Sequence, residues 1–216
     1  VIITHNNLSL RFSNIHFLYF LFPFLITIFT AKTLPNLNTK RIVITGGPGT
    51  GKTSIINELI QRNYKCLEEI SRQVTLEARE RGIDQLFLTK PLLFSELLLE
   101  GRKKQFNEAQ ELEDLIVFFD RGIPDVLAYM DFIGDIYPEE FISTCYDHKY
   151  DQVFILAPWQ EIYISDSERY ENFDQAIEIH DHLLNTYSKL GYNLIDVPFQ
   201  AVNKRTDFIL NSINSL

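Results

Sequence analysis

The feature that most constrains the fold is a glycine-rich loop between two apolar segments. Residues 46–53 read Gly-Gly-Pro-Gly-Thr-Gly-Lys-Thr; a β-branched run precedes them at 41–45, and a segment of helical period follows them at 54–60. Strand, loop and helix in this order match the P-loop pattern, in which backbone N–H groups and a helix N-terminus hold a phosphate. We therefore predict a nucleotide phosphate site. A turn that caps a helix and binds nothing is the disfavoured alternative.

Each residue of this loop has an expected role. The predicted nucleotide-binding residues are Gly46, Gly47, Pro48, Gly49, Thr50, Gly51, Lys52, Thr53 and Ser54. Glycines let the backbone turn its N–H groups towards a phosphate. Lys52 would neutralise the β- and γ-phosphates, and the Thr53 hydroxyl would be a ligand of Mg²⁺. The expected cofactors are therefore ATP, with GTP as the alternative, and Mg²⁺.

After the loop, short apolar runs alternate with longer segments of helical period. The pattern predicts strands over residues 41–45, 64–68, 115–119, 152–156 and 193–197. Helices are predicted over residues 52–62, 71–81, 91–109, 123–132, 138–146, 172–190 and 201–214. Such alternation is typical of an α/β domain, in which crossover helices join the strands of a parallel sheet.

A carboxylate follows the third predicted strand. Leu115-Ile-Val-Phe-Phe119 is wholly apolar and ends at Asp120. A P-loop protein needs a carboxylate at the end of a neighbouring buried strand to orient Mg²⁺, so we predict that Asp120 is a metal ligand with Thr53. The alternative is an Asp that caps the next helix, and both roles are compatible.

A second group of charged residues follows strand two. Glu69 and Arg72 are expected at the carboxyl edge of the sheet, where open α/β sheets bind ligands. Glu69 is the candidate general base and Arg72 a candidate substrate contact. A helix dipole also favours an acidic residue in its first turn, so a purely structural role for Glu69 stays open.

Two more charged residues stand beside Asp120. Arg121 is a candidate for binding a substrate or the γ-phosphate, and Asp125 is a candidate substrate-binding carboxylate. Alternatively, Arg121 forms only a surface ion pair, which contributes little to stability.

Two further basic segments differ in their expected roles. Arg169 lies in a polar segment after strand four that could close over the phosphates and stabilise the charge of transfer; a plain surface loop is the alternative. Residues 102–104, Arg-Lys-Lys, lie within a predicted helix and are expected to form a solvated face.

The charge of the chain limits its partners. The net charge of −9 disfavours a general affinity for nucleic acid or for anionic membranes, since both need a basic surface. Cys66 and Cys145 lack metal-ligand spacing and favour a reduced, cytoplasmic protein. A small-molecule acceptor is the expected partner, and the sequence leaves the oligomeric state open.

The first 40 residues differ from the rest. They contain no Asp or Glu and carry a charge of +3, so residues 41–216 carry −12. Residues 17–31 are continuously apolar but shorter than the roughly 20 residues of a membrane-spanning helix. Residues 1–40 are thus interpreted as an extension that is not part of the native domain, as an anchor holding the domain on the cytoplasmic side of a membrane, or as a signal-like segment. Residues 41–216 are the predicted P-loop domain.

Several short motifs together resemble a known family. They are the phosphate loop, Glu69-x-x-Arg72, Phe-Phe-Asp120-Arg121-Gly122 with Pro124-Asp125, Ser-Glu-Arg169-Tyr170, and the closing segment 191–198 with Lys204-Arg205. The chain resembles the small AAA-type ATPases grouped with the ribosylnicotinamide kinase domain of NadR and with the Ttd14 proteins, over residues 41–214. The resemblance implies a three-layer P-loop NTPase fold like that of nucleoside and nucleotide kinases, with a five-stranded parallel sheet of order 2-3-1-4-5.

The resemblance also bears on activity. Asp120-Arg121 is similar to the Asp-Arg pair of thymidylate and deoxynucleoside kinases, and Glu69 is similar to their carboxylate after strand two. The tryptophan that usually follows that carboxylate is absent here. The leading hypothesis is an ATP- and Mg²⁺-dependent phosphotransferase acting on a small metabolite or nucleoside-type acceptor, with Lys52, Glu69, Asp120, Arg121 and Arg169 as catalytic residues. The alternative is a regulatory nucleotide switch that recruits a protein or lipid.

Overall fold

Five strands and eight helices lie within residues 39–163 and 171–214, which the computed structural model of the chain describes. The strands are β1 (Lys40–Gly46), β2 (Lys65–Leu67), β3 (Ile116–Asp120), β4 (Gln152–Leu156) and β5 (Leu194–Asp196). The helices are α1 (Lys52–Gln61), α2 (Ser71–Glu80), α3 (Leu86–Thr89), α4 (Pro91–Glu111), α5 (Pro124–Ile133), α6 (Glu139–Asp147), α7 (Phe173–Lys189) and α8 (Val202–Asn214).

The strands form one parallel sheet of order β2-β3-β1-β4-β5. The predicted sheet order and fold class are therefore confirmed. The edge strands β2 and β5 are three residues long, shorter than the five predicted for each. An edge strand has a hydrogen-bonded ladder on one side only, so fewer of its residues are held in the sheet.

Side chains of the central strands alternate between two buried layers. In β1, Ile42 and Ile44 pack on the face covered by α1 and α8, whereas Val43 packs on the face covered by α4, α5 and α7. All three residues are fully buried. A parallel sheet covered by helices on both faces requires this near-continuous apolar sequence. The result is a three-layer arrangement.

Two details of the elements differ from the sequence prediction. Helix α3 was not predicted, because four residues are too few to display a helical period. The long helix α4 starts at Pro91, where proline is well tolerated, and it continues to Glu111, two residues beyond the predicted end. Element boundaries commonly shift by this amount.

Two parts of the predicted organisation lie outside the described residues. They are the N-terminal extension up to residue 38 and residues 164–170, which include Arg169. In the described ranges, every helix is too short or too polar to cross a membrane.

The topology places the carboxyl end of β1 at the centre of one sheet edge. β3 and β4 lie on either side of β1. From the end of β1 the chain runs to β2 at one side of the sheet, whereas from the end of β4 it runs to β5 at the other side. The two connections therefore leave this edge in opposite directions. Such a reversal opens a crevice at the carboxyl ends of the strands, where α/β proteins bind ligands.

Candidate active site

The phosphate loop joins the end of β1 to the first turn of α1. Gly46 has a φ of 147°, and a Cβ placed on it would lie 2.5 Å from the carbonyl oxygen of Leu156 in β4. Gly51 has a φ of 89° and caps α1 in the left-handed conformation. Backbone conformation at both positions, and the close approach of β4 at the first, therefore require glycine. A tight glycine-dependent turn between a strand and a helix is the arrangement that the P-loop pattern predicts.

The ammonium group of Lys52 lies against the backbone of this loop. Its Nζ donates hydrogen bonds of 2.7 Å to the carbonyl oxygens of both Gly46 and Gly47. Burial, and next the positive charge of Arg121, lower the pKa of Lys52 to about 7, although nearby carboxylates act in the opposite direction. A phosphate bound in the loop would therefore lie beside an ammonium group that titrates near neutral pH.

The other predicted loop residues fall into two groups. The buried Thr50 hydroxyl donates a 3.0 Å hydrogen bond to the carbonyl oxygen of Gly47, which stabilises the loop from within. Those that remain partly or largely exposed are Pro48, Gly49, Thr53 and Ser54. Thr53 thus has an accessible hydroxyl in the first turn of α1.

Asp120 ends β3 and pairs in register with Ile44 of β1, just before the phosphate loop. Its side chain is buried, and Oδ1 has no hydrogen-bond partner among the described residues. Burial raises the pKa of Asp120, and the nearby positive charge of Lys52 opposes this change. A buried carboxylate oxygen without a donor calls for a cation or a polar ligand.

Glu69 is held by two arginines. Its carboxylate forms ion pairs with Nε of Arg121 and with Nη2 of Arg102, the latter at 3.2 Å, and it accepts a 3.3 Å hydrogen bond from the N–H of Ser71. Burial favours a higher pKa, but Arg121 and Arg102 together lower the pKa of Glu69 to about 2. Glu69 is ionised at neutral pH and can orient a hydroxyl group, but it is a weak proton acceptor.

Arg102 is a site residue that the sequence analysis missed. The predicted solvated face was wrong for Arg102, which is only 3% exposed, whereas Lys104 is exposed as expected. Nη1 of Arg102 donates a 2.9 Å hydrogen bond to the carbonyl oxygen of Gly122. The usable signal is helical spacing: Arg102 follows Leu98 by four positions and precedes Phe106 by four, on the buried face of α4.

Arg121 links the phosphate loop to the acidic residues. Its Nη1 lies 3.1 Å from the carbonyl oxygen of Gly46 and 3.2 Å from Oδ1 of Asp125. Its φ of 72° is in the left-handed region, which is uncommon for a residue with a side chain and costs energy. Burial disfavours the charge, but the negative charges of Glu69 and Asp125 raise the pKa of Arg121. Arg121 is therefore permanently charged.

Asp125 connects several elements of the site. Its carboxylate accepts 2.6 Å hydrogen bonds from the hydroxyls of Thr45 in β1 and Tyr187 in α7, and a 3.0 Å hydrogen bond from the N–H of Gly122. With the contact to Arg121, both oxygens have internal partners. Asp125 thus holds the turn after β3 against β1 and α7, and its role in binding substrate stays a prediction. Sequence alone did not connect Thr45 or Tyr187 to it, because they are 80 and 62 positions away.

The last predicted site residues are not joined to this cluster. Arg72 is exposed in the first turn of α2, and none of the hydrogen bonds or ion pairs described for the cluster involves it. Arg169 lies outside the described residues.

A pair of aromatic side chains is connected to the phosphate loop through Arg205. The rings of Trp159 and Phe199 are stacked, with centroids 5.2 Å apart and planes 25° apart, and 52% of Phe199 is exposed. The guanidinium of Arg205 lies 5.9 Å from the Trp159 ring and donates a 3.0 Å hydrogen bond to the carbonyl oxygen of Thr50. An aromatic surface is thereby attached to the loop.

The residues present suit a magnesium nucleotide better than a metal bound by protein alone. No group of three or more His, Cys, Asp or Glu side chains within residues 39–163 and 171–214 has the arrangement of a metal site. Mg²⁺ in phosphate sites usually takes one or two protein ligands and completes its shell with phosphate oxygens and water. The free Oδ1 of Asp120 and the exposed Thr53 hydroxyl meet this requirement.

Solved structures with a similar fold include a NadR protein and two kinases. NadR protein in complex with NR has 19% identity and a TM-score of 0.64, over 82% of this chain and 51% of that chain. Deoxyadenosine kinase from M. mycoides, with dCMP and dCDP bound, has 17% identity and a TM-score of 0.61, over 82% and 100%. Thymidylate kinase from Candida albicans has 16% identity and a TM-score of 0.57, over 82% and 92%.

At these identities the likeness establishes the fold, and the chain spans about half of the NadR chain. No curated protein sequence matches the chain. The model of one family, described as an AAA domain, matches residues 41–205, about three quarters of the 216 residues. The chain therefore belongs to this AAA domain family.

Proposed function

We propose that the protein transfers the γ-phosphoryl group of ATP, with Mg²⁺, to a small hydroxyl- or phosphate-bearing acceptor of the metabolite or nucleoside type. The observation that carries this proposal is the meeting of Lys52, Asp120, Arg121 and Glu69 at one edge of the sheet, beside the phosphate loop. Phosphoryl transfer depends on positioning and on stabilising charge, and this cluster supplies groups for both.

Each residue has a distinct task in the proposed reaction. Lys52 and Arg121 stabilise the negative charge on the transferred group, and Asp120 with Thr53 would hold the metal. The metal, when bound, neutralises phosphate charge. An acceptor oxygen forms a bond to the γ-phosphorus, the bond from that phosphorus to the β–γ bridging oxygen breaks, and ADP leaves with the bonding electrons.

Glu69 orients the acceptor in this proposal. As an ionised carboxylate it accepts a hydrogen bond from the acceptor hydroxyl and receives the proton as the new bond forms. The two arginines that hold Glu69 fix its position, because each contacts a different oxygen of the carboxylate. A positioned carboxylate of low pKa suits a transition state in which the proton leaves late.

The aromatic pair supports a nucleotide as the ligand. Trp159 and Phe199 offer flat, partly exposed rings that Arg205 links to the phosphate loop. Stacking on aromatic rings stabilises a nucleobase without discriminating strongly between bases. Stacking thus does not separate the two nucleotides, and we propose ATP as the donor with GTP as the alternative.

Three finer assignments belong to this proposal. The chain is placed with the NadR- and Ttd14-like members of its family on the strength of the motifs quoted above. Residues 41–216, extended to Lys40 where β1 begins, are proposed as the catalytic domain, and the residues before Thr39 as dispensable for it. The cytoplasm, where ATP is available, is the proposed location; an N-terminal anchor would place the domain on the cytoplasmic side of a membrane.

The test is nucleotide binding followed by a search for the acceptor. Binding of Mg·ATP and Mg·GTP is measured by calorimetry, and ADP release is then followed across nucleosides, ribosylnicotinamide and nucleoside monophosphates. Glu69→Gln should lower acceptor-dependent turnover with little change in ATP affinity. The matched control is Glu68→Gln, since Glu68 is the exposed neighbour.

The outcomes separate the hypotheses. Acceptor-stimulated ADP formation that is lost in Glu69→Gln and retained in Glu68→Gln supports the transferase. Tight nucleotide binding with slow, acceptor-independent hydrolysis refutes it and favours the switch. Failure to bind any nucleotide removes the basis of the proposal.

A further inference from the structure

Two adjacent basic residues of α8 have opposite environments. Lys204 is exposed, whereas Arg205 is 1% exposed and is among the largest fully buried side chains. Surface charges on a helix need no explanation, but a buried guanidinium does, because it has lost its hydration.

Arg205 packs against the back of the phosphate loop. Its Nη2 donates a 3.0 Å hydrogen bond to the carbonyl oxygen of Thr50. Its Nη1 would lie only 2.8 Å from a Cβ placed on Gly51. The guanidinium therefore touches the two residues that immediately precede Lys52.

The charge of Arg205 is not balanced within the described part of the chain. None of the ion pairs among these residues includes Arg205, and its Nε is buried without a hydrogen-bond partner. Burial lowers the pKa of Arg205, but an arginine stays protonated in a protein. The Trp159 ring, 5.9 Å away, compensates the charge in part.

An uncompensated buried charge is costly, so the free protein holds a cation that a bound anion would stabilise. We propose that Arg205 is a positioning residue of the phosphate loop whose permanent positive charge raises the affinity for the di- and triphosphate groups of a nucleotide. This inference rests on the proposed nucleotide-binding function. A bound phosphate would supply the negative charge that Arg205 lacks in the free protein. The backbone of Thr50 and Gly51 would lie between the phosphate and the guanidinium.

Arg205 and Lys52 differ in one useful respect. Lys52 touches the loop interior but titrates near neutral pH, whereas the charge of Arg205 is independent of pH. Arg205 therefore maintains a positive field at the loop under conditions in which Lys52 is neutral.

The test compares ligands with and without phosphate charge, on the full chain. Calorimetry gives the affinities of Mg·ATP, inorganic pyrophosphate and adenosine for the wild type, Arg205→Met, Arg205→Lys and Lys204→Met. At an effective dielectric constant near 20, one charge within a few ångströms of the loop should strengthen diphosphate binding by about tenfold or more. We expect Arg205→Met to weaken pyrophosphate and Mg·ATP by about that factor and adenosine by less than about twofold.

Two further readouts separate this role from a purely structural one. Arg205→Lys keeps the charge and should recover most of the pyrophosphate affinity, and Lys204→Met should bind like the wild type. The urea midpoint of unliganded Arg205→Met should be unchanged or higher, because an unbalanced buried charge has been removed. If Arg205 served only to stabilise the fold through its hydrogen bond to Thr50, the urea midpoint of Arg205→Met would instead be lower.

The outcomes that overturn the inference are distinct from failure of the proposed function. Equal pyrophosphate affinity in the wild type and Arg205→Met, or equal losses for pyrophosphate and adenosine with a lower urea midpoint, would refute it while the nucleotide site stands. A wild-type protein that binds neither Mg·ATP nor pyrophosphate would refute both.

Discussion

The titration of Lys52 leads to a quantitative prediction for nucleotide binding. In the free protein, burial and the neighbouring Arg121 lower the pKa of Lys52 to about 7. A bound phosphate favours the charged ammonium and raises this pKa. Binding therefore takes up a proton above pH 7, and the affinity for nucleotide should fall as the pH rises.

The size of the effect follows from this pKa. With a pKa of about 7, roughly a quarter of Lys52 is protonated at pH 7.5 and about one in a hundred at pH 9. If only the charged form binds, Kd should rise about 25-fold over this range, or ~1.9 kcal/mol at 1.36 kcal/mol per pKa unit. The terminal phosphate, with a second pKa near 6, stays ionised throughout.

Calorimetry between pH 7.5 and 9 provides the measurement. Titrations in buffers of different ionisation enthalpy also count the protons taken up, and we expect nearly one per nucleotide at pH 8.5. Lys52→Met should bind weakly and without this pH dependence. Lys65→Met, which removes an exposed lysine from β2, should keep the wild-type slope.

A flat Kd between pH 7.5 and 9, with no proton uptake, would refute the reasoning. Lys52 would then be fully charged in the free protein. In that case its two hydrogen bonds to loop carbonyl oxygens would outweigh burial and the repulsion from Arg121.

Three further changes test the packing around the site and the contribution of the N-terminal segment. Tyr187→Phe removes one buried donor to the carboxylate of Asp125 and should cost about 1.5–3 kcal/mol in urea unfolding. Gly46→Ala should abolish nucleotide binding, measured by calorimetry, because its Cβ would lie 2.5 Å from the carbonyl oxygen of Leu156. Removal of residues 1–38 should leave the Kd for Mg·ATP within about twofold of the full chain, since the proposed nucleotide contacts lie beyond them.

Matched variants and contrary results sharpen these tests. Tyr146→Phe alters an exposed tyrosine and should cost less than about 0.5 kcal/mol. Gly82→Ala also places a side chain at positive φ, but into open space, so nucleotide binding should persist. Stability of Tyr187→Phe equal to the wild type would contradict the role of the buried network, and Gly46→Ala with normal affinity would contradict the steric argument. A truncated chain that loses affinity would show that the N-terminal segment contributes.

Local patterns were sufficient for the approximate positions of the strands and for the glycine-rich loop between β1 and α1. The spacing of Gly46, Gly51 and Lys52 between a β-branched run and a helical period depends only on neighbouring residues. The same holds for Asp120 at the end of an apolar strand. Such features can be predicted from the sequence because the side-chain period of a strand or helix is set by the backbone itself.

Contacts between residues that are distant in sequence could not be predicted from local patterns. Glu69 was predicted as a candidate general base, with a structural role as the alternative. Its position between Arg102 and Arg121 depends on how α4 packs against the turn after β3. The missed burial of Arg102 has the same origin, because basic residues are usually placed on solvated faces.

The sequence by itself determined the class of this protein: a P-loop in an α/β frame, with a carboxylate after a buried strand. Only the tertiary structure decided which charges meet, and with what consequence for their pKa values. Arg205 is the clearest instance: its spacing of four from the buried Ile209 is a local signal for burial, but its contact with Thr50, 155 positions away, depends on how α8 packs against the loop. The reason is physical: secondary structure follows local backbone periodicity, whereas burial and charge pairing depend on which faces of distant segments come together.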